Sequence, residues 1–312
     1  MMGLVVLIAA GAALAFWLFA ERGRLLMPST RKLFREHGMK NALNLTALHS
    51  YVYFRWTKQY ISLALNRLLP RSTARDRKRW ADAYHGKVLT HEHARRIVTL
   101  NQPIPLRDLE QIIPYPTARD LVLNGAPEIV AYECVCRNAR PSPCKPSQVC
   151  MIIGQPFADF ILEHHPATSR RLSQAGALEL LSQEHERGHL HSAWFKDVML
   201  NRFYAICNCC KCCCGGLEGM VKYGMGNITS SGYVARVDAG QCDGCGKCET
   251  SCPFGAVRVD GMSTVLWEKC MGCGVCEGQC PRQAVSLVRD ERKGIPFDVR
   301  MLAETSPGGQ RA

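Results

Sequence analysis

Eighteen cysteines stand in this chain of 312 residues, and eight of them form a repeat. Cys242, Cys245, Cys248 and Cys252 recur 28 residues later as Cys270, Cys273, Cys276 and Cys280, and both sets end in Cys-Pro, at Pro253 and Pro281. Thiolates are soft donors, the kind that iron–sulfur clusters select. Three cysteines spaced by two can wrap three corners of one cubane from a single loop. Gly244, Gly246, Gly272 and Gly274 let each loop turn tightly and bring backbone N–H groups close to sulfur. Structural zinc is the competing chemistry, but zinc ribbons use paired C-x2-C rather than triplets followed by Cys-Pro. The repeat therefore predicts two [4Fe–4S] clusters.

Each half reads C-x2-C-x2-C-x3-C-P, the bacterial ferredoxin run, in which the fourth cysteine serves the other cluster. On that rule Cys242, Cys245, Cys248 and Cys280 hold one cluster, and Cys270, Cys273, Cys276 and Cys252 hold the other. The flanks agree: Tyr233–Val237 and Ala284–Val288 can pair as strands, and Ala256–Val259 with Thr264–Trp267 can form a hairpin around Asp260–Gly261. Residues 233–289 thus resemble the two-cluster bacterial ferredoxin family. The resemblance implies a pseudo-symmetric βαβ repeat and low-potential, one-electron transfer between adjacent clusters.

Ten cysteines remain: Cys134, Cys136, Cys144 and Cys150, then Cys207, Cys209, Cys210, Cys212, Cys213 and Cys214. Their pattern, C-x-C-R and later C-N-C-C-x-C-C-C ahead of a ferredoxin repeat, is similar to that of a poorly characterised group of long prokaryotic ferredoxin-like proteins with no established activity. Neighbouring thiolates repel, so six cysteines within eight residues call for a metal, a cluster or oxidation. One or two additional iron–sulfur clusters are the expectation; disulfides, a free thiol patch or zinc are the alternatives. Cys213–Cys214–Gly215 is similar to the CCG element of disulfide-reductase subunits, but it occurs once and lacks that family's long paired spacing.

His185–Glu186–Arg187–Gly188–His189 matches H-E-x-x-H, which on one helical face would place two zinc ligands and a general base. Gly188 lies between the histidines and reads as a helix end, which breaks the i,i+4 facing. His189 and His191 precede the Cys207 group and could tune or ligate a cluster, against the plainer reading of surface histidines. His91, His93, His164 and His165 have no partner that sequence identifies. No glycine-rich dinucleotide or phosphate loop is present, so the chain is expected to bind no nucleotide cofactor and to depend on a redox protein partner.

These sites need elements to hold them. Gly3–Ala20 is an uncharged apolar run that, as a helix, would span roughly 27 Å against a bilayer core of about 30 Å. It lacks the basic start and small-residue exit of a cleaved signal. Net charge is +12, and Glu21–Arg96 carries all of it, with 17 Lys/Arg against 5 Asp/Glu. The basic flank predicts a single-pass inner (cytoplasmic) membrane protein with the bulk of the chain on the cytoplasmic side, in contact with membrane lipid. Asn44–Leu69 mixes leucine, aromatic and basic residues and reads as helical, either at the membrane interface or packed with a solvated face. Arg71, Arg75, Arg77, Lys78 and Arg79 form a polybasic run, and nothing else resembles a nucleic-acid-binding motif.

The expected fold is α+β: a transmembrane anchor (1–20), a basic, mostly helical membrane-proximal region with a Pro-rich linker at Gln102–Pro116 (21–116), a mainly helical cysteine-rich middle domain (117–232), the dicluster domain (233–289) and a tail (290–312), of which Glu304–Ala312 reads as frayed. Within the middle domain, Ser169–Arg187 reads as a helix capped by Gly188. The expected function is electron transfer to or from a redox partner in a membrane-associated complex. The alternative is an oxidoreductase whose middle-domain cysteines are catalytic and are fed by the ferredoxin module.

Overall fold

The computed structural model describes residues 2–38, 44–100, 104–106, 121–123, 127–200 and 202–299. Its centre is a seven-stranded sheet. Across the sheet the order is Ser169–Leu172, Ile129–Tyr132, Cys150–Ile153, Phe203–Cys209, Leu190–Lys196, Tyr84–Leu89 and Ile228–Thr229. All neighbours are antiparallel except the last pair. This corrects the expectation of a mainly helical middle domain. The reason lies in the burial. Ile129–Tyr132 and Leu190–Lys196 are buried at every position, so they lack the in–out alternation that marks a half-exposed strand. One partner also comes from a distant part of the chain. Tyr84–Leu89 comes from the basic region and pairs across more than a hundred residues with Leu190–Lys196.

Successive side chains of a strand point to opposite faces, and each face has its own core. Val130, Tyr132, Ile152 and Trp194 join one apolar cluster; Ile129, Ala131, Met151, Ile153 and Phe195 join the other. The second cluster is closed by the helices His91–Val98 and Gln174–Glu186, through Ala94, Ile97, Ala177 and Leu181. Residues 169–172, expected as the first turn of that second helix, are the sheet's edge strand; Ser173 then caps the helix by accepting from the Gly176 N–H. Gly188, at φ +74°, ends it, with the His189 N–H donating back to the Glu184 carbonyl. Phe297 and Val299 are buried in the same cluster, so the chain beyond Arg289 returns to the core. Glu304–Ala312 lies outside the described residues. So does most of Gln102–Pro116, of which Ile104–Leu106 pairs with Leu121–Leu123.

No helix among the described residues is long and apolar enough to cross a membrane. The expected transmembrane anchor, and with it the single-pass inner-membrane placement, is therefore withdrawn. The apolar run does form a helix, Met2–Ala20, but its C-terminal end belongs to the protein core. Trp17 stacks on Tyr51 with centroids 5.3 Å apart, and Phe16 stacks on Trp56. Ala20 is fully buried, and its carbonyl accepts from Arg55 Nε at 2.7 Å. Glu21 is buried too, accepting from the Met27 N–H and the Thr30 hydroxyl. Arg22, read as part of a membrane-facing flank, donates to the Glu163 carbonyl instead. Apolar side chains remain exposed at Leu4 to Ile8, Leu14, Phe16 and Phe19. The aromatics of the next stretch are also core: Tyr51, Tyr53 and Phe54 on the helix Leu45–Arg55 are buried.

The C-terminal module follows the repeat. Tyr233–Val237 pairs antiparallel with Val285–Arg289, and Val257–Asp260 forms a hairpin with Met262–Val265 through Gly261 at φ +67°. Short helices, Lys247–Ser251 and Val275–Gly278, follow the two cysteine loops.

Candidate metal centres

The eight repeat cysteines line two separate cavities. Cys242, Cys245 and Cys248 share one with Cys280. Cys270, Cys273 and Cys276 share another with Cys252. Each cavity joins a loop triplet from one half to the Cys-Pro cysteine of the other. The loops are held by close backbone approach. Gly244 (φ +69°) lies so near the hairpin tip that a Cβ would stand 2.3 Å from the Gly261 carbonyl oxygen, and Gly272 (φ +61°) stands in the same relation to the Tyr233 carbonyl. Backbone N–H groups reach sulfur symmetrically: Ala256 donates to Cys252 Sγ and Ala284 to Cys280 Sγ, both at 3.3 Å, and Ala235 to Cys270 Sγ at 3.4 Å.

The donor set suits a cluster. The cavity that includes Cys252 is otherwise walled by apolar residues such as Phe254, Val257 and Leu287, whereas the one that includes Cys280 mixes Val259 and Val285 with Asp243, Lys247 and Arg282. Burial, reinforced by the neighbouring thiols Cys270 and Cys252, pushes the Cys276 thiol up to about 12, and burial raises Cys273 well above the ordinary thiol range. Such thiols ionise only against a positive charge, which cluster irons supply. Residues 234–257 and 264–286 each match a family model described as a 4Fe-4S binding domain.

This is a two-cluster ferredoxin module. It carries two [4Fe–4S] clusters, and the chain is an iron–sulfur protein of the electron-transfer type. The remainder of the chain lies outside both matches, and no curated protein and no solved structure matches it. The two sites differ in exposure. Cys252, Cys270, Cys273 and Cys276 are all buried, whereas Cys245 is exposed and Cys242 and Cys280 are partly so.

The second cysteine field divides in two. Cys134, Cys136, Cys150, Cys207, Cys209 and Cys214 line a cavity walled by Tyr53, Tyr84, Tyr132, Trp194 and Tyr204. Strand ends and helix starts put them there. Cys134 precedes the short helix Val135–Asn138, Cys150 opens its strand, Cys207 and Cys209 end theirs, and Cys214 precedes the helix Gly215–Tyr223. The thiols form a connected set. Hydrogen bonds from Cys136 and Cys150 pull Cys134 well down, and those from Cys207 and Cys214 do the same for Cys209, while Cys136, Cys150, Cys207 and Cys214 are pushed up. Cys144, Cys210, Cys212 and Cys213 gather separately, with their sulfurs all within 4.8 Å of one another. Cys210 also lines the larger cavity. All eighteen cysteines are free of disulfides.

Arg137 is the residue that sequence reading passed over, although it is the R of C-x-C-R. Its fully buried guanidinium donates to Glu184 Oε2 at 2.9 Å, to the Asn208 carbonyl at 3.1 Å and to the Pro146 carbonyl. Cys210 and Cys134 are among the negative groups that hold it charged. It sets a fixed positive charge beside the thiols.

The H-E-x-x-H histidines do not converge. His189 Nδ1 pairs with Glu184 at 2.7 Å, while His185 joins His91 and His191 in a second group, whose ring nitrogens lie within 4.8 Å of one another. Asn208 Nδ2 donates to the Val149 carbonyl, which turns Asn208 Oδ1 toward His191 Nδ1 at 2.6 Å. His191 is then protonated on Nδ1 and presents a bare Nε2 to His91 Nδ1, 3.1 Å away. A Cβ on Gly278 would stand 2.5 Å from His185 Nε2, so this group abuts the ferredoxin helix Val275–Gly278. His93 and Asp298 face each other at 3.8 Å, and His164 contacts Thr30.

Proposed function

We propose that the chain is a relay for single electrons between a redox protein partner and the six-cysteine cavity of the middle domain, with the ferredoxin module as the path. The observation that carries this reading is the crosswise grouping of the eight repeat cysteines into two four-thiol cavities. On it, Cys242, Cys245, Cys248 and Cys280 ligate one cluster, and Cys252, Cys270, Cys273 and Cys276 the other. A [4Fe–4S] cluster, when bound, supplies a one-electron couple at low potential. The protein residues fix its position, exclude water and donate N–H groups to its thiolates. The site with the exposed Cys245 is the side from which a partner is reached; Lys247 and Arg282 line it with Asp243. The buried site faces inward, and Cys209, Cys214, Cys252 and Cys276 belong to one continuous apolar core.

The middle-domain cavity is assigned an additional iron–sulfur cluster held by Cys134, Cys136, Cys150, Cys207, Cys209 and Cys214. A second reading makes that cluster catalytic. It needs an iron with an open position. Six thiols exceed the four corners of a cubane, so the donor count favours saturated iron and a relay.

The test is iron and sulfide counting on anaerobically purified full-length protein, with an EPR-monitored redox titration. About eight irons with two reducible centres correspond to the ferredoxin pair alone, and about twelve or more to a metallated cavity as well. Acid-labile sulfide missing, or no reducible EPR signal, would sink the relay.

A further inference from the structure

Two chain segments build the six-cysteine cavity, and each has a loop between its cavity cysteines. Cys144 lies in the first, between Cys136 and Cys150. Cys210, Cys212 and Cys213 lie in the second, between Cys209 and Cys214. The four loop cysteines meet: Cys144 Sγ is 2.8 Å from Cys212 Sγ, and Cys212 Sγ is 3.5 Å from Cys213 Sγ.

We propose that Cys144, Cys210, Cys212 and Cys213 hold a single tetrahedral divalent ion of the zinc class, which staples the two loops together. The gathering of all four sulfurs within 4.8 Å of one another is the main argument, and the 2.8 Å Cys144–Cys212 pair must open when an ion enters. An ion about 2.3 Å from each of four tetrahedral thiolates sets the sulfurs about 3.8 Å apart. A cubane ligated at its corners holds them wider, because irons and inorganic sulfides stand between. The chain contains its own comparison: no three of the eight ferredoxin cysteines gather within the 4.8 Å that encloses all four of these. The donor set is purely thiolate, which suits a closed structural site. Cys212 is exposed, so an ion can reach it from solvent.

The surroundings already brace the same two loops. Arg140 Nε donates to the Cys213 carbonyl at 3.1 Å, and its guanidinium pairs with Glu218. Lys211 Nζ donates to the Thr250 carbonyl of the ferredoxin module at 3.1 Å. Zinc binding displaces the thiol protons and involves no electron transfer. The ion therefore makes no contribution to the relay itself; it fixes the spacing of the cavity cysteines on either side of each loop. It rests on the reading of that cavity as a cluster site only for its consequence, not for its existence.

The experiment compares full-length protein with Cys144→Ser and Cys212→Ser, measuring zinc, iron and sulfide per chain, EPR of the two ferredoxin clusters, and the spectrum after cobalt replacement of zinc. The expected result is about one zinc per chain in the parent and none in either variant, with both ferredoxin signals kept. Cobalt replacement should give thiolate charge-transfer bands in the near ultraviolet and tetrahedral bands in the visible. Loss of about four irons with their sulfide in Cys144→Ser would overturn the proposal, because the four would then ligate a cubane. Zinc that survives in both variants, or its absence from the parent, would overturn it too. The relay fails by a different readout, the loss of the ferredoxin signals in the parent.

Discussion

Arg137 and Glu184 meet at 2.9 Å with side chains only 1% and 0% exposed, so a complete ion pair lies inside the protein, and Arg137 lines the same cavity as the middle-domain cysteines. Burial opposes ionisation of Glu184, yet the bonds from His189 and Arg137 outweigh it and hold the carboxyl below its ordinary range. Breaking such a pair from one side leaves a buried uncompensated charge and costs about 3–5 kcal/mol. Arg137→Met should therefore lower the unfolding free energy in urea by that order. Arg137→Met with Glu184→Met should recover much of the loss. Equal loss in the single and the double variant would show that the guanidinium matters only to the thiols.

The ligand pairing separates two variants. Cys280→Ser should alter or remove the cluster at Cys242, Cys245 and Cys248, and Cys252→Ser the one at Cys270, Cys273 and Cys276. Each change should leave one native EPR signal, a different one in each variant. The same signal lost in both would contradict crosswise ligation.

Three glycines at positive φ divide by what surrounds them. Gly244 and Gly272 have backbone oxygen 2.3 Å from where a Cβ would stand, whereas Gly246, at φ +76°, has nothing within 4 Å. Gly246→Ala should cost only left-handed backbone strain, about 1–2 kcal/mol. Gly244→Ala and Gly272→Ala must move a neighbouring strand or hairpin as well, and each should lose visible cluster absorbance at lower urea than Gly246→Ala. Indistinguishable losses would remove the close-approach argument.

His164 makes the fold sensitive to acid. Burial, followed by the nearby Arg55, lowers its pKa from 6.5 to about 3 in the folded chain. Below pH 6.5 the unfolded chain takes up a proton that the folded chain refuses, so the stabilising contribution is complete above 6.5 and shrinks as pH falls toward 3. The slope from this one group is at most about 1.4 kcal/mol per pH unit. Unfolding free energies from urea titrations at pH 7.5 and pH 5.5, with cluster absorbance followed in parallel, should differ less in His164→Gln than in the parent, by up to about 1.4 kcal/mol.

The module was legible because its signal is local: two loops, two Cys-Pro turns and the Asp260–Gly261 hairpin all lie within about fifty residues. The sheet was hidden because Ile129–Tyr132 and Leu190–Lys196 are buried at every position and Tyr84–Leu89 joins from more than a hundred residues away. Tyr84–Leu89 even carries Lys87, which is 1% exposed inside the sheet. The apolar run misled because composition does not reveal that Trp17 and Ala20 have protein partners. The ten middle cysteines read as one metal-binding field, but their division into six and four depends on which loops meet. Nothing in the spacing brings Cys144 to Cys212.

The unequal exposure of the two ferredoxin sites also orders the protein's construction. All four cysteines of the inner site are buried once the module has closed, while Cys245 still faces solvent. A preformed cluster is far larger than a water molecule and cannot diffuse through close-packed protein. The inner site must therefore be filled while its walls are still open, and the outer site can be filled, stripped by a chelator or repaired after folding is complete. Maturation thus has a first step that cannot be revisited and a last step that can.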